Sequence, residues 1–252
     1  MFVFEYPFCE CVVFSGDIHG DFETMVHKLC VQYGCRKTLL IVAGDCGFGF
    51  YKEGYYDALY WKVERRLSSC DNYVAFVRGN HDDPSYFQKE RVSHERWRCV
   101  PDYSVLKVCG HNILCIGGAI SIDRAYRKIE DVRNIHSGLS SYWPDEAPVF
   151  LPGELCQLPV DMDIDCVLTH SCPSFCELQS KAGMMGWVEW DSCLLRDVTE
   201  ERNTMDEIFH FLKEAGHSAR KWFYGHFHRS WNGTVDGTDF SMLDIMEFKE
   251  LR

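Results

Sequence analysis

Apolar positions in the first third of the chain alternate between two rhythms. Cys11 to Ser15 (CVVFS) is a short apolar run stopped by Gly16, the mark of a buried strand. Phe22, Met25, Val26, Leu29 and Tyr33 then recur at helical spacing on one face. Thr38 to Ala43 (TLLIVA) is a second strand-like run ended by Gly44. Tyr56, Leu59, Tyr60, Val63 and Leu67 mark a second amphipathic helix. Tyr73 to Val77 (YVAFV) gives a third strand ending at Arg78-Gly79. Strand, helix, strand, helix, strand predicts parallel β-α-β units.

The middle of the chain changes character. Ser104 to Cys109 and Ile113 to Ile116 predict a hairpin joined by Gly110-His111-Asn112. From about Gly118 to Pro159 periodicity fades, which predicts long loops with short helices. Asp165 to Thr169 (DCVLT) reads as another strand, and Met205, Ile208, Phe209, Leu212 and Ala215 form a helical stripe. Lys221 to Tyr224 is a strand before Gly225. Trp231–Val235 and Phe240–Met246, punctuated by Gly233 and Gly237, predict closing antiparallel strands.

With 252 residues, 46% hydrophobic and 25% charged, the chain is globular and long enough for one large core. A net charge of −12 argues against general nucleic-acid binding, because phosphate backbones recruit basic surfaces. It is compatible with a small phosphorylated substrate, since bound cations supply positive charge locally. The fourteen cysteines include no Cys-x-x-Cys pair, and several lie inside apolar runs, so reduced core cysteines in a cytoplasmic protein are expected. No basic leader precedes the N-terminal apolar residues. No run reaches the roughly 18 apolar residues of a membrane span, so no membrane association is expected.

Five strand ends run into polar residues. They are Gly16-Asp17-Ile18-His19-Gly20, Gly44-Asp45-Cys46-Gly47, Gly79-Asn80-His81-Asp82, Thr169-His170-Ser171 and Gly225-His226-Phe227-His228. Ligands collect at the carboxyl ends of strands in open α/β sheets, so these loops would converge on one crevice. Mixed nitrogen and carboxylate donors suit Mn, Fe, Zn, Co or Ni better than Ca or Mg. Leaving His81 aside, seven ligand-type residues are too many for one tetrahedral site and suit two neighbouring ions. His27, His94, His111, His136, His210 and His217 lack any such context.

Asp-x-His, Gly-Asp, Gly-Asn-His-Asp, a late His and Gly-His-x-His, in that order, resemble the calcineurin-like metallophosphoesterase superfamily over about residues 11 to 248. The resemblance implies a four-layer α/β/β/α sandwich forming one domain over 1–252, with a loop-rich substrate-facing insertion at about 118–160. It implies that Asp17, His19 and His228 bind one divalent ion, that Asp45 bridges, and that Asn80, His170 and His226 hold the second. Manganese heads the metals, with Fe, Zn, Ni or Co as alternatives. Two ions roughly 3.5–4 Å apart would activate a bridging hydroxide for in-line attack on a phosphomonoester or phosphodiester. His81 would sit over the leaving group, and Asp82 would orient its imidazole and keep it protonated.

The pattern departs from protein phosphatases, which typically carry an Arg in the second motif and a Glu after the motif His. Here the second motif reads Asp45-Cys46-Gly47-Phe48-Gly49-Phe50 and position 82 is Asp. The segment 117–127, with Tyr142-Trp143-Pro144-Asp145-Glu146, is similar to small bacterial and phage metallophosphoesterases. Arg124 or Arg127 is the candidate phosphate clamp, as arginine binds phosphate bidentately. Tyr142 and Trp143 more simply pack their loop, while Gly183-Met184-Met185-Gly186-Trp187 is a candidate cap over the crevice. Two rival functions share the fold: a non-catalytic protein-binding scaffold and a nuclease. A scaffold would keep metal without turning over any ester, and a nuclease would prefer single-stranded DNA to small esters.

Overall fold

The computed structural model describes residues 1–52, 54–89, 91–176 and 182–252. Its strands are β1 (Val3–Glu5), β2 (Cys11–Ser15), β3 (Thr38–Ala43), β4 (Tyr73–Val77), β5 (Ser93–His94), β6 (Trp97–Cys99), β7 (Ser104–Val108), β8 (His111–Ile116), β9 (Cys166–Thr169), β10 (Lys221–Tyr224), β11 (Trp231–Val235), β12 (Thr238–Met242) and β13 (Phe248–Glu250). The α-helices are α1 (Phe22–His27), α2 (Tyr55–Ser69), α3 (Ser85–Gln88), α4 (Arg124–Arg133), α5 (Pro152–Leu155), α6 (Ala182–Val188) and α7 (Leu194–Glu214). Among the described residues, no helix is long and apolar enough to cross a membrane.

The strands form two mixed sheets. One runs β1-β7-β8-β9-β10-β12-β11 and the other β13-β2-β3-β4-β6-β5. Within them β2, β3, β4 and β6 are parallel neighbours, and so are β8, β9, β10 and β12. Strand alternation builds three cores from these two sheets. On β3, Leu39, Ile41 and Ala43 face the other sheet, while Leu40 and Val42 face the helices α1 and α2. On β8, Ile113 and Cys115 join the inter-sheet layer, whereas Leu114 and Ile116 meet α7. Phe14 and Phe223 stack across the sheets with centroids 4.1 Å apart. The result is the expected four layers, helix, sheet, sheet and helix. Because all central strands are buried on both faces, they read as continuous apolar runs.

Three expectations need revision. The hairpin turn is Cys109-Gly110, both at positive φ (52° and 81°), rather than Gly110 to Asn112. Paired positive φ is the mirror-image turn whose twist matches the flanking strands. The last expected strand covers Thr238–Met242, and the residues after it turn before β13. The α7 helix begins eleven residues before the stripe starting at Met205, because its first turns bury Glu201 and Arg202 as well as apolar groups. Within the expected loop region stands the ten-residue helix α4, which buries Arg124 and Arg127 and leaves Val132 73% exposed. The helix is amphipathic, but its apolar stripe of Tyr126, Ile129 and Val132 faces outward while Arg124 and Arg127 face in, the reverse of the usual arrangement.

Candidate metal centre

Parallel pairing aligns the carboxyl ends of β2, β3 and β4 in one sheet and of β9 and β10 in the other. The loops that follow bring Asp17, His19, Asp45, Asn80, His81, His170, His226 and His228 together. Close approach requires missing side chains. A Cβ on Gly44 (φ 97°) would lie 2.2 Å from His170 Nδ1, and one on Gly225 would lie 2.2 Å from Asp17 Oδ1. His19, Asp45, His226 and His228 all adopt positive φ, between 45° and 70°. Left-handed backbone is uncommon outside glycine and persists only where surrounding contacts over-determine it.

Asp17 is fully buried. Its Oδ1 accepts the His226 backbone N–H at 3.0 Å, but Oδ2 has no hydrogen-bond donor. His228 Nε2 lies 3.0 Å from that oxygen in an ion pair that raises the His228 pKa, and His19 Nε2 lies 3.9 Å away. The two Nε2 atoms are 2.9 Å apart. One donor atom each from Asp17, His19, Asp45 and His228 falls within 4.8 Å of the others. An orphaned buried carboxylate oxygen facing two imidazole nitrogens is an arrangement that a cation satisfies and that neutral partners do not.

A second group lies on the far side of Asp45. His170, with no exposed surface, donates from Nδ1 to the Ala43 carbonyl at 2.6 Å. That bond fixes the ring and turns Nε2 toward Asn80 Oδ1 at 3.0 Å and Asp45 Oδ1 at 3.1 Å. The His226 ring is 5.0 Å from that of His170. Burial alone would lower the pKa of His170, but the Asp45 carboxylate raises it to about 9. Burial likewise pushes Asp45 up, and the His170 and His81 imidazoles outweigh it to hold the carboxyl well below its usual range. In His226, burial and the neighbouring His170 keep the imidazole neutral. A proton on His170 balances these acceptors only in part, whereas a divalent ion could accept one donor atom from each of Asp45, Asn80, His170 and His226. Oxygen and nitrogen donors at both positions fit borderline transition ions.

His81 stands at the rim. Its backbone N–H donates to Asp45 Oδ1 at 2.8 Å, and its Nε2 is 3.9 Å from Asp45 Oδ2. Burial, helped by Arg127 and His19, pushes its pKa down to about 4 against the pull of Asp45. Asp82 does not orient this imidazole. Its Oδ2 accepts the N–H groups of Cys46 and Gly79 at 3.0 and 2.7 Å, and its Oδ1 those of Gly47 and Phe48 at 2.7 and 2.9 Å. The carboxylate therefore staples the loop after β3 to the loop after β4. Burial and Asp45 push its pKa up to about 7 while those N–H donors pull it back.

The two candidate clamps part company. Arg124 donates to Asp191 and Asp197 at 2.5 Å each and does not line the crevice, so it is a structural tie between α4 and the start of α7. Arg127, one turn on, pairs with Asp123 at 2.8 Å and sets its guanidinium against the His81 ring. The crevice beside the histidines encloses about 550 Å³. Arg127, Arg202, His81 and His228 line its polar side, and Ile120, Met184, Trp187, Val198 and Phe227 line its apolar side. Gly183, Met184 and Trp187 of the candidate cap are among the residues that line the crevice. Trp143 is elsewhere, edge-on to Phe50 at 5.4 Å.

Sequence reasoning missed Arg202, which is bonded to Glu201 and Ser171 and lies over the Phe227 ring at 4.9 Å. Its signal was present: it falls on the same helical face as Val198, Met205 and Phe209, where a charge is out of place. Also missed were Ser121 and Glu146, which touch Asn80 directly and through one another. Nothing local in the sequence marks them.

A family model described as calcineurin-like phosphoesterase matches residues 12–230. Solved structures resembling the chain include TT1561 of Thermus thermophilus, at 12% identity and a TM-score of 0.47, covering 95% of this chain and 97% of that one. Another is the phosphopantetheinyl hydrolase PptH from Mycobacterium tuberculosis, at 17% identity and a TM-score of 0.45, covering 93% and 89%. No curated protein matches the sequence.

Proposed function

The chain belongs to the calcineurin-like phosphoesterase family, and from that premise we propose that it hydrolyses a small phosphate ester at a centre of two divalent ions. Asp17, His19 and His228 hold one ion, Asp45 is shared, and Asn80, His170 and His226 hold the other. Supporting this division, Asp45 belongs to the first group of donors and also stands 3.1 Å from His170. Manganese is the first candidate, with Fe, Zn, Ni and Co next on the same donor chemistry. When bound, such ions polarise a phosphoryl oxygen and acidify water.

The remaining work falls to side chains. Arg127 offers the phosphate a guanidinium at the mouth of the crevice. His81, at the rim with its Nε2 3.9 Å from Asp45 Oδ2, serves as the proton donor to the departing oxygen. A crevice of about 550 Å³ is in the range of small-molecule sites, and its apolar wall suits an apolar or aromatic leaving group. All fourteen cysteines are free, which supports a reducing, cytoplasmic setting.

The observation that carries the proposal is the buried, donorless Asp17 Oδ2 among imidazole nitrogens at converging strand ends. The test compares mono- and bis-aryl phosphates, nucleotides and a phosphopeptide with Mn, Ni, Co, Zn and Mg. Turnover of the small esters is expected with added metal and is lost in His81→Ala and Asp45→Asn. Tight metal binding without turnover of any ester would overturn the catalytic reading.

A further inference from the structure

Among the seven ligand candidates, Asn80 alone can present an end, its NH₂, that no cation accepts. A carboxylate offers oxygen on both sides, whereas a primary amide presents either oxygen or NH₂ depending on a half-turn of its end group. Only the oxygen serves a cation, so something must decide the orientation. Asn80 Nδ2 donates to Ser121 Oγ at 2.9 Å, which leaves Oδ1 facing His170. The Ser121 hydroxyl has a single proton, donated to Glu146 Oε2 at 2.5 Å, and the Ser121 backbone N–H donates to Glu146 Oε1 at 2.9 Å. Asn80, Ser121 and Glu146 are all buried, with Glu146 only 1% exposed.

An ionised carboxylate can only accept. It therefore draws the Ser121 proton toward itself and leaves lone pairs for Asn80, which must answer with NH₂. Glu146 is in turn held by its own backbone: its carbonyl accepts from Arg78 at 2.7 Å and from the Ala119 N–H at 3.2 Å. We propose that Glu146 is a positioning residue that sets the polarity of the chain Glu146–Ser121–Asn80 and so points the Asn80 oxygen at the second ion. The inference rests on the reading of Asn80 as a ligand of that ion.

Glu146→Gln keeps the shape and reverses the polarity. The Ser121 N–H is a fixed donor and claims the new side-chain oxygen, so the new NH₂ faces Ser121 Oγ. That hydroxyl then sends its proton to Asn80, whose amide turns its oxygen inward and its NH₂ toward the ion. An Asn80→Asp change in the same chain removes the conflict, since a carboxylate accepts from Ser121 and still presents oxygen to the ion. The double variant also restores the native net charge.

Manganese stoichiometry and affinity are read by calorimetry and by metal analysis after gel filtration, at about pH 8.5, above the value of about 7 to which burial pushes the Glu146 carboxyl. The wild type is expected to take two ions per chain. Glu146→Gln should keep the first and bind the second about 10–100-fold more weakly, the usual scale for an outer hydrogen-bond partner. An added carboxylate at position 80 attracts cations in any background, so the decisive quantity is the difference between backgrounds. Asn80→Asp should recover more second-site affinity in Glu146→Gln than it adds to the wild type. Two ions bound with unchanged affinity in Glu146→Gln, or an equal gain in both backgrounds, overturns the inference alone. A wild type that takes only one ion overturns the two-ion reading and the inference with it. Misfolding of Glu146→Gln would show as a failure of the second change to rescue, and counts against the proposal.

Discussion

Asp82→Asn separates two views of the residue that follows the rim histidine. In the structure the Asp82 carboxylate accepts four backbone N–H groups, two on each oxygen, and is fully buried. Asparagine keeps one oxygen, and with it two of the four bonds, but sets an NH₂ against the other two N–H donors. A buried donor left without an acceptor costs about 1–3 kcal/mol, so the variant should lose about 2–6 kcal/mol. That is a large part of the roughly 5–15 kcal/mol that a domain typically has. Urea unfolding in the presence of chelator measures this without any contribution from bound metal, and the midpoint should fall with an unchanged slope. The same loops carry Asp45 and Asn80, so metal affinity should weaken as well. The outcome that refutes the staple is a variant within about 0.5 kcal/mol of the wild type, as for an ordinary surface change, whose activity is nonetheless lost. Asp82 would then act on His81 after all, although no atom of its carboxylate is bonded to that ring.

Other outcomes follow from the same contacts. Arg127→Ala should lower kcat/KM by about tenfold to a hundredfold, the scale of a lost charge-assisted hydrogen bond of about 1.5–3 kcal/mol, with Lys a poor substitute. Arg124→Ala should instead lower the unfolding midpoint and spare kcat/KM, because its partners are Asp191 and Asp197. Gly44→Ala should displace His170 and reduce the manganese bound per chain, since the new methyl would lie 2.2 Å from Nδ1. Asp131 accepts from Ser140, from both the backbone and the hydroxyl of Ser141, and from the backbone of Tyr142. Burial pushes its pKa up, but these bonds outweigh it and hold the carboxyl below its ordinary value. A depressed folded pKa stabilises above the unfolded value and that contribution fades as pH falls through the folded one. The melting-temperature gap between wild type and Asp131→Asn should therefore be open at neutral pH and close below about pH 4. A gap that persists in acid would remove the carboxylate from the explanation.

Much of the frame was legible because buried parallel strands announce themselves. The runs at 11–15, 38–43 and 73–77 coincide with β2, β3 and β4, and the stripe from Tyr56 to Leu67 is the buried face of α2. What escaped was decided by partners far away in the chain. Arg124 and Arg127 are one turn apart on α4 and indistinguishable by pattern, yet Asp191 and Asp197 take one while His81 meets the other. Asp82 follows His81 directly, which invites a local pairing. In the tight turn after β4 the two side chains part, one toward the rim and one into the loop beneath. The short strands β5, β6 and β13 have two or three residues each, too few to establish a period.

The distribution of charge around the crevice bears on how so acidic a chain would accommodate the phosphate ester proposed for it. Asp17 and Asp45 are buried among imidazoles, and among the described residues no arginine is bonded to either carboxylate. Arginine would neutralise them permanently and leave nothing for an ion to do. The buried arginines are engaged elsewhere: Arg78 on Asp102 and the carbonyls of 145–147, Arg124 on α7, and Arg202 on Glu201. Arg127 differs, because its pairing with Asp123 leaves a guanidinium edge against His81 at the crevice wall. Negative charge is thus concentrated at the carboxylates of the candidate metal centre and positive charge at the crevice wall, with Asp45 and His81 at the boundary. Left-handed backbone at His19, Asp45, His226 and His228 is one cost of holding that boundary. The unanswered Asp17 oxygen is another. Both costs are offset in the same event if ion binding is what the folded chain is built to reward, since a ligand that binds only the native state adds its own free energy to folding.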